Sequence, residues 1–508
     1  MIVHLAVIPV LLPFLTGILL LLLRQRSAVL ERALSIFSIL MQIFLAFKLL
    51  SVVGGGDILV YALGNWPAPF GIMLVADCLA AWMLMITALL SLFALLYAIP
   101  VTEQAGRHFH VLFQLQLFGL NGAFLTGDLF NLFVFFEILL IASYSLLLHG
   151  GGRLRTKAGL HFVVINLVGS ILFLFAVGVL YGMLGTLNMA DLAVKLTTLT
   201  AGDSAYVRAA GLLLFGVFAL KAALVPLHLW LPSAYAHAAA PIAALFAIMT
   251  KVGAYSILRI YTLIFGAEAG LGANLVEGWL LPLALLTLVV GMAGVVASAR
   301  LRQQVAYLAI ASAGTLLTAF GLNTQEGIAA GLFYLSHSTF ATAAFFLLAN
   351  TIASRRAELD DRLDSGPVIA HSRLIGALFF VTAVLLAGLP PLSGFMGKFL
   401  ILHASLMHAA FPWIMAIILI TSLFGLIALT RSGSLLFYRA HPSPAAAVGA
   451  IGLTAVCKEL LPIISLLTLC VILVIWGGPI TQFLYFAAEQ LLQPSRYIQA
   501  VLVTRGLP

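Results

Sequence analysis

The stretch from Phe215 to Arg259, FGVFALKAALVPLHLWLPSAYAHAAAPIAALFAIMTKVGAYSILR, decides the fold. It places two lysines, Lys221 and Lys251, in strongly apolar surroundings. A charge near the centre of a bilayer costs roughly 2.5–3.5 kcal/mol on insertion scales, so such residues are presumed functional. Prolines free backbone carbonyls, which only protein or a water-filled cavity can satisfy inside a membrane. Because prolines and histidines lie between the lysines, we interpret the stretch as a broken helix and a second helix that line a polar path: Pro226, Pro232, Pro241, His228 and His237.

The composition excludes a soluble protein. Of 508 residues, 63% are hydrophobic and 8% are charged, against about 25% charged in typical soluble domains. The net charge of +8 comes from lysines and arginines in short loops and does not indicate nucleic-acid binding. The three cysteines have no metal-binding spacing, and no nucleotide-binding loop or nucleophile–base arrangement is present, so we predict no cofactor. The sequence does not identify a sodium site.

Apolar runs of about 20 residues predict spanning helices. Two of these runs, near 205–238 and 373–409, are too long for one straight crossing and contain proline, so we expect interrupted helices there. The chain is predicted to be an all-α polytopic membrane protein with about fourteen spans, near 3–23, 30–53, 71–99, 109–126, 129–148, 158–185, 205–238, 240–265, 275–298, 302–322, 327–353, 373–409, 411–437 and 458–486.

Basic residues alternate between loops and predict an orientation with both termini outside. The predicted outward loops carry mostly acids, including Asp57, Asp191, Glu268 and Glu326. The predicted inward loops carry Arg24, Arg26, Arg32, Arg107, Arg153, Arg155, Lys157, Arg300, Arg302, Arg355, Arg356, Arg362, Arg373 and Arg439.

The two interrupted spans indicate a faint internal repeat. Lys221 precedes a proline break in LKAALVPLHLW, and Lys398 follows one in LAGLPPLSGFMGKFL. Broken helices in corresponding halves of a chain are typical of transporter cores.

Glu137 is the acidic residue deepest within a predicted span, in DLFNLFVFFEILLIASYSLLL. We expect it to partner Lys221, because an opposite charge makes each buried charge tolerable. Such a pair also acts as a switch, since adding a proton on one side weakens the attraction and loosens the lysine's proton. The alternative is a static structural ion pair, which is a costly way to gain stability.

Lys251, Tyr255 and Arg259 share one helix face at i, i+4 and i+8. That face is a candidate to carry protons onward from Lys221, although Arg259 lies nearer the outer end and is also expected to snorkel to the interface. Lys398 is a candidate for the last proton-holding site, with a structural role as the alternative. Asp77 lies near a span end, where we expect a solvated role.

Histidine titrates near neutral pH and can bridge such sites. His337 lies in mid-span within YLSHSTFATAAF, whose hydroxyls favour either a hydrated relay or helix packing. His228 and His237 flank the broken segment and are accessory candidates, with relay and structural roles both open.

Four motifs give the chain a family resemblance over about residues 70–440: FNLFVFFEILLIASYSLL, the stretch containing Lys221 and Lys251, LSHSTFATAAFFLLA and LPPLSGFMGKF. The chain resembles the antiporter-like membrane subunits shared by Mrp-type cation/proton antiporters, respiratory complex I and membrane-bound hydrogenases. Within them it is most similar to the D-type subunits of Mrp antiporters. Many complex I members have a lysine where this chain has Ala341 and Thr342.

The resemblance implies fourteen helices, two inverted five-helix repeats and a central polar axis. It divides the chain into N-terminal helices (1–105), a first repeat (106–265), a second repeat (266–440) and a C-terminal helix and tail (441–508). It matches Glu137 and Lys221 to the family's glutamate–lysine pair, Lys251 to the bridging lysine and Lys398 to the terminal site. His337 corresponds to the histidine between those two lysines.

These inferences predict a proton-conducting subunit of a multisubunit sodium/proton antiporter in a prokaryotic plasma membrane. Its expected partners are other membrane subunits, protons, sodium or another monovalent cation, and the bilayer, with no nucleic acid. Two alternatives remain open: a proton-pumping subunit of a redox enzyme such as NADH:quinone oxidoreductase, and a membrane scaffold without transport activity.

Overall fold

A computed structural model describes residues 3–23, 27–441 and 453–502. Arg24 and Arg26, predicted in an inward loop, lie outside the described residues, as do both ends of the chain, which are predicted to face outward. Within the described ranges, ten helices are long and apolar enough to cross a membrane, and three further apolar helices are shorter. The prediction of a helical polytopic membrane protein is therefore confirmed.

Twenty α-helices form the described part of the chain: α1 Ile8–Leu23, α2 Ala28–Val53, α3 Cys78–Val101, α4 Phe109–Leu125, α5 Leu129–Leu147, α6 Arg153–Leu184, α7 Met189–Thr197, α8 Ala201–Lys221, α9 Trp230–His237, α10 Ala240–Phe246, α11 Met249–Leu263, α12 Glu277–Ala297, α13 Leu301–Phe320, α14 Gln325–Ala353, α15 Ser372–Ala387, α16 Ser393–Ala404, α17 Phe411–Gly433, α18 Leu453–Ile475, α19 Gly477–Leu492 and α20 Pro494–Leu502. The spans at Ala240–Leu263 and Gln325–Ala353 are completely buried over their apolar windows, whereas those of α6 and α2 are 39% buried. Helices α10, α11 and α14 therefore form the centre of the protein.

A β-hairpin precedes α3, so the chain is not entirely helical. Strand β1 (Leu59–Ala62) pairs antiparallel with β2 (Met73–Ala76). The prediction of a span beginning near residue 71 was wrong, because a short apolar run does not distinguish a strand from a helix. Helix α3 begins after Asp77, whose side chain accepts a hydrogen bond of 2.9 Å from the Ala80 amide.

Both predicted interruptions occur at the expected prolines. Helix α8 ends at Lys221 and α9 begins at Trp230, whereas α15 ends at Ala387 and α16 begins at Ser393.

A glycine permits close packing at each break. A Cβ on Gly253 would clash with the backbone at Ala222, and a Cβ on Gly394 would clash with the Leu385 carbonyl.

The sequence analysis missed two further helix boundaries. The predicted span near 240–265 is interrupted at Ala247 and Ile248, whose amides bond to carbonyls three residues back, at 3.1 and 3.3 Å. The predicted span near 458–486 was also wrong, because α18 ends at Ile475 and α19 begins at Gly477. A Gly-Gly-Pro sequence at 477–479 follows the end of α18, and these residues disfavour continuation of a helix.

Candidate functional site

Glu137 and Lys221 each contact a polar side chain of α6. The Ser170 hydroxyl donates a short hydrogen bond to Glu137 Oε1, and Lys221 Nζ donates to Asn166 Oδ1 at 2.9 Å. Among the described residues, Glu137 and Lys221 form no direct hydrogen bond or ion pair with each other, although the charge of Glu137 still acts on Lys221. Each member of the expected pair thus contacts a neutral side chain on a third helix, α6.

Asn166 and Ser170 lie four residues apart on α6, one turn from each other, and we call them the α6 bridge. Both are buried, at 1% and 5% exposure. Asn166 Nδ2 donates to the Phe162 carbonyl at 2.9 Å, which turns its Oδ1 toward Lys221. Sequence reasoning missed both residues, because neutral polar side chains also serve helix packing in membranes.

Lys251 lies at the centre of the molecule with no exposed surface. Its Nζ donates to the Ser312 hydroxyl of α13 at 3.4 Å. A cavity of about 10 Å³ lies between Lys221 and α11, lined mainly by apolar side chains that include Phe136, Met249 and Val252. Because one water needs about 10–15 Å³, this cavity has room for about one water beside Lys221.

His337 connects the centre to the second broken helix. Its Nδ1 lies 2.9 Å from the hydroxyl of Ser393, the first residue of α16. The side chain is buried, and its ring lies 5.5 Å from that of Tyr334. The charges of Lys251 and Lys398 both act on it. His337 therefore lies within electrostatic reach of both lysines.

Lys398 is bound to the second break itself. Its Nζ donates to the Ala387 carbonyl and to the Ser422 hydroxyl of α17, both at 2.9 Å. The adjacent Gly388 has φ +80°, and a Cβ there would lie 3.0 Å from Lys398 Nζ. The break thus frees a carbonyl that serves as an acceptor for the lysine.

Tyr255 forms its hydrogen bonds with Phe124 and Arg259. Tyr255 donates to the Phe124 carbonyl at 2.7 Å and accepts from Arg259 Nε at 3.4 Å. Arg259 forms two hydrogen bonds of 2.5 and 2.7 Å with Asp77, and both residues are buried. The expectations of a snorkelling Arg259 and a solvated Asp77 were wrong, because their mutual charge compensation allows both to be buried.

The two accessory histidines have different surroundings. His228 is buried in the first break, at 7% exposure. His237 ends α9, with its Nδ1 2.8 Å from the Ser233 carbonyl, and its own carbonyl accepts from Arg155 Nε at 3.0 Å. The contacts of His237 anchor the end of α9.

Comparison with known proteins places these residues in a family. Residues 126–425, more than half of the chain, match the family described as "NADH:quinone oxidoreductase/Mrp antiporter, TM". The chain belongs to this family. The matched range contains Glu137, Lys221, Lys251, His337 and Lys398.

Full-length relatives agree with this membership. The chain is 40% identical to the D-type subunit of a "Probable K(+)/H(+) antiporter" of Rhizobium meliloti, with 98% of this chain and 97% of the relative covered. It is 37% identical to the D-type subunit of the "Na(+)/H(+) antiporter" of Alkalihalophilus pseudofirmus, with 98% and 99% covered. A chain from the "Structure of Mrp complex from Dietzia sp. DQ12-45-1b" superposes with a TM-score of 0.88 at 28% identity, covering 99% of both chains. The chain is thus similar over its full length to subunits of the antiporter branch of the family.

Proposed function

We propose that the chain is the proton-translocating subunit of a multisubunit monovalent cation/proton antiporter, a secondary transporter in the bacterial plasma membrane. The observation that carries the proposal is a set of polar contact pairs distributed between the two broken helices, which we call the polar series. The pairs are Glu137–Ser170, Asn166–Lys221, Lys251–Ser312, His337–Ser393 and Lys398–Ser422.

Protons move along this series in steps, with water in the gaps. The α6 bridge allows the protonation state of Glu137 to act on Lys221 without direct contact. When Glu137 binds a proton, its attraction for the Lys221 ammonium weakens, and Lys221 passes a proton toward Lys251. His337 then connects Lys251 to Lys398, where Ala387 and Ser422 hold the ammonium. His228, His237 and Tyr255 serve as accessory residues that shape the first break and the core.

The proposal includes the finer architecture. It comprises fourteen spans, with both termini outside, and two inverted five-helix repeats, 106–265 and 266–440, between N-terminal helices at 1–105 and a C-terminal unit at 441–508. The paired breaks α8–α9 and α15–α16 support the repeats. Coupling to the cation requires partner membrane subunits. Relatives named for potassium and for sodium support a monovalent cation.

The test measures cation-driven pH changes in inverted vesicles that contain the whole complex. Glu137→Gln is expected to lower the proton flux driven by Na⁺ or K⁺ at least about 100-fold, within the range of general acid–base effects, while the complex assembles normally. Asp203→Asn, which removes an exposed acid at the start of α8, is the matched control and should retain full activity. An E137Q complex with wild-type flux would refute the proposal, and subunit identification in the same purification separates an antiporter from a redox enzyme.

A further inference from the structure

A cavity lined by arginines lies beside α9, and no residue of the polar series lines it. It has a volume of about 830 Å³ and is walled by the beginnings of α6 and α13, by α9 and by the loop before α15. Four arginines and two aspartates line it: Arg153, Arg155, Arg300, Arg302, Asp360 and Asp361. We call it the arginine cavity.

The charges in the arginine cavity are only partly balanced. Arg300 Nη1 donates to Asp361 at 3.1 Å, and Arg302 Nη2 donates to Asp360 at 3.3 Å. The Arg155 guanidinium donates hydrogen bonds to the backbone carbonyls of His149 and His237. These acceptors carry no formal charge. In the ranges that the structure describes, Arg153 has no hydrogen-bond or ion-pair partner. Two arginines of the lining therefore remain without a carboxylate among the described residues, and the lining carries an excess of positive charge.

Apolar side chains continue from the cavity along α6. Leu154 and Leu229 border the arginines and are 61% and 66% exposed. Further along α6, an exposed apolar stripe follows helical spacing: Leu160, Val164, Leu167, Ile171 and Phe175. From Leu160 to Phe175 the stripe is about 22 Å long at 1.5 Å per residue, which is longer than the roughly 15 Å of one leaflet of the hydrocarbon core.

We propose that the arginine cavity binds the phosphate headgroup of an anionic phospholipid, with its acyl chains along the exposed face of α6. Guanidinium groups bind phosphate oxygens through paired hydrogen bonds, and basic pockets between membrane helices on the cytoplasmic side suit such headgroups. The predicted orientation places these arginines on that side. A free phosphate would share the headgroup contacts but would leave the apolar stripe unused.

The site adjoins the first broken helix, because Leu229, Pro232, Ser233 and His237 of the break and α9 also line it. The first residue of α9 is tied to the helix that carries Lys221, since Trp230 Nε1 donates to the Leu220 carbonyl at 3.0 Å. A lipid bound here therefore contacts the segment that must shift if the broken helix moves during transport.

The test is native mass spectrometry of the purified whole complex, titrated with phosphatidylglycerol and separately with phosphatidylcholine. Arg153→Gln is expected to weaken phosphatidylglycerol binding about fivefold, the effect of one basic residue near an anionic lipid, and to leave phosphatidylcholine binding unchanged. Gln303→Trp fills the cavity without changing its charge and should also lower phosphatidylglycerol binding. Arg208→Gln removes an exposed positive charge on α8, outside the cavity and away from the exposed face of α6, and is expected to bind phosphatidylglycerol like the wild type.

Three outcomes would overturn the proposal. Equal binding by the wild type, R153Q and Q303W would show that the cavity holds no lipid. Competition by millimolar inorganic phosphate, with no preference for phosphatidylglycerol, would identify a site for a soluble anion. A cross-link from Gln303→Cys to another subunit, with no lipid bound, would assign the cavity to a protein partner.

Discussion

The two broken helices hold their lysines in different ways. Lys221 precedes its break and donates to the Asn166 side chain of α6, beyond which Ser170 contacts Glu137. Lys398 follows its break and donates to the freed Ala387 carbonyl and to Ser422. The first lysine thus has an acid on the far side of α6, whereas its counterpart is held by neutral acceptors. Similar breaks therefore give the two lysines different surroundings.

This difference assigns the two ends distinct tasks in the proposed transport. At Lys221, the charge of Glu137 can be switched by one proton, so the lysine's affinity for its own proton changes with it. At Lys398, the fixed acceptors give no such control. The charge of Lys398 acts on His337, and in the proposed pathway this histidine links the site to Lys251.

Among changes to the neutral contacts of the two lysines, the largest expected effect comes from breaking the contact that joins Lys221 to α6. Asn166→Leu removes the acceptor of the Lys221 ammonium and should lower proton flux roughly 10- to 100-fold, since a hydrogen bond to a charged group contributes about 1.5–3 kcal/mol. Flux in vesicles containing the assembled complex is the measurement. Asn131→Leu is the control, because it removes a buried amide that bonds to Thr126 instead of a lysine. Similar flux losses in both variants would contradict a specific role for Asn166.

An intermediate effect is expected when the second site is made to resemble the first. Ser422→Asp places a carboxylate beside Lys398, where the wild type has a hydroxyl 2.9 Å away. The new charge should hold the lysine's proton and reduce flux about tenfold, because an opposite charge favours the ammonium form. Stopped-flow measurement of proton release from the complex tests this. Unchanged release would mean that the neutral surroundings of Lys398 are unimportant.

The smallest effect is expected from Ser422→Ala. Lys398 keeps the Ala387 carbonyl as an acceptor, so the loss of one neutral hydrogen bond should lower flux only about threefold, within the usual range of about 0.5–1.5 kcal/mol. The same vesicle assay provides the comparison with Asn166→Leu. If S422A proved as damaging as N166L, the proposed contrast between the two sites would be lost.

The sequence predicts the site residues whose charge is unusual in an apolar helix. Glu137, Lys221, Lys251 and Lys398 are recognisable because charges are rare in apolar runs. Prolines likewise predict both breaks. Of these four side chains, Lys221 and Lys251 are buried, whereas Glu137 and Lys398 are partly exposed within this single chain.

The remaining features depend on contacts that local sequence cannot show. Asn166 and Ser170 resemble ordinary packing residues until α6 is seen between Glu137 and Lys221. The Arg259–Asp77 pair joins residues 182 positions apart. The interruption before Lys251 has no proline at Ala247 or Ile248, and the strand Met73–Ala76 has the same apolar character as a helix.

The most direct test of the central claim is proton flux through a complex that carries Lys251→Met. Lys251 lies between the two half-sites with no exposed surface, and methionine replaces it with an uncharged chain of similar length. If protons pass along the proposed series, K251M should lower flux at least about 100-fold with normal assembly, while Lys195→Met, at a lysine paired with Asp191, retains wild-type flux. A K251M complex that transports protons within twofold of the wild-type rate would contradict the account.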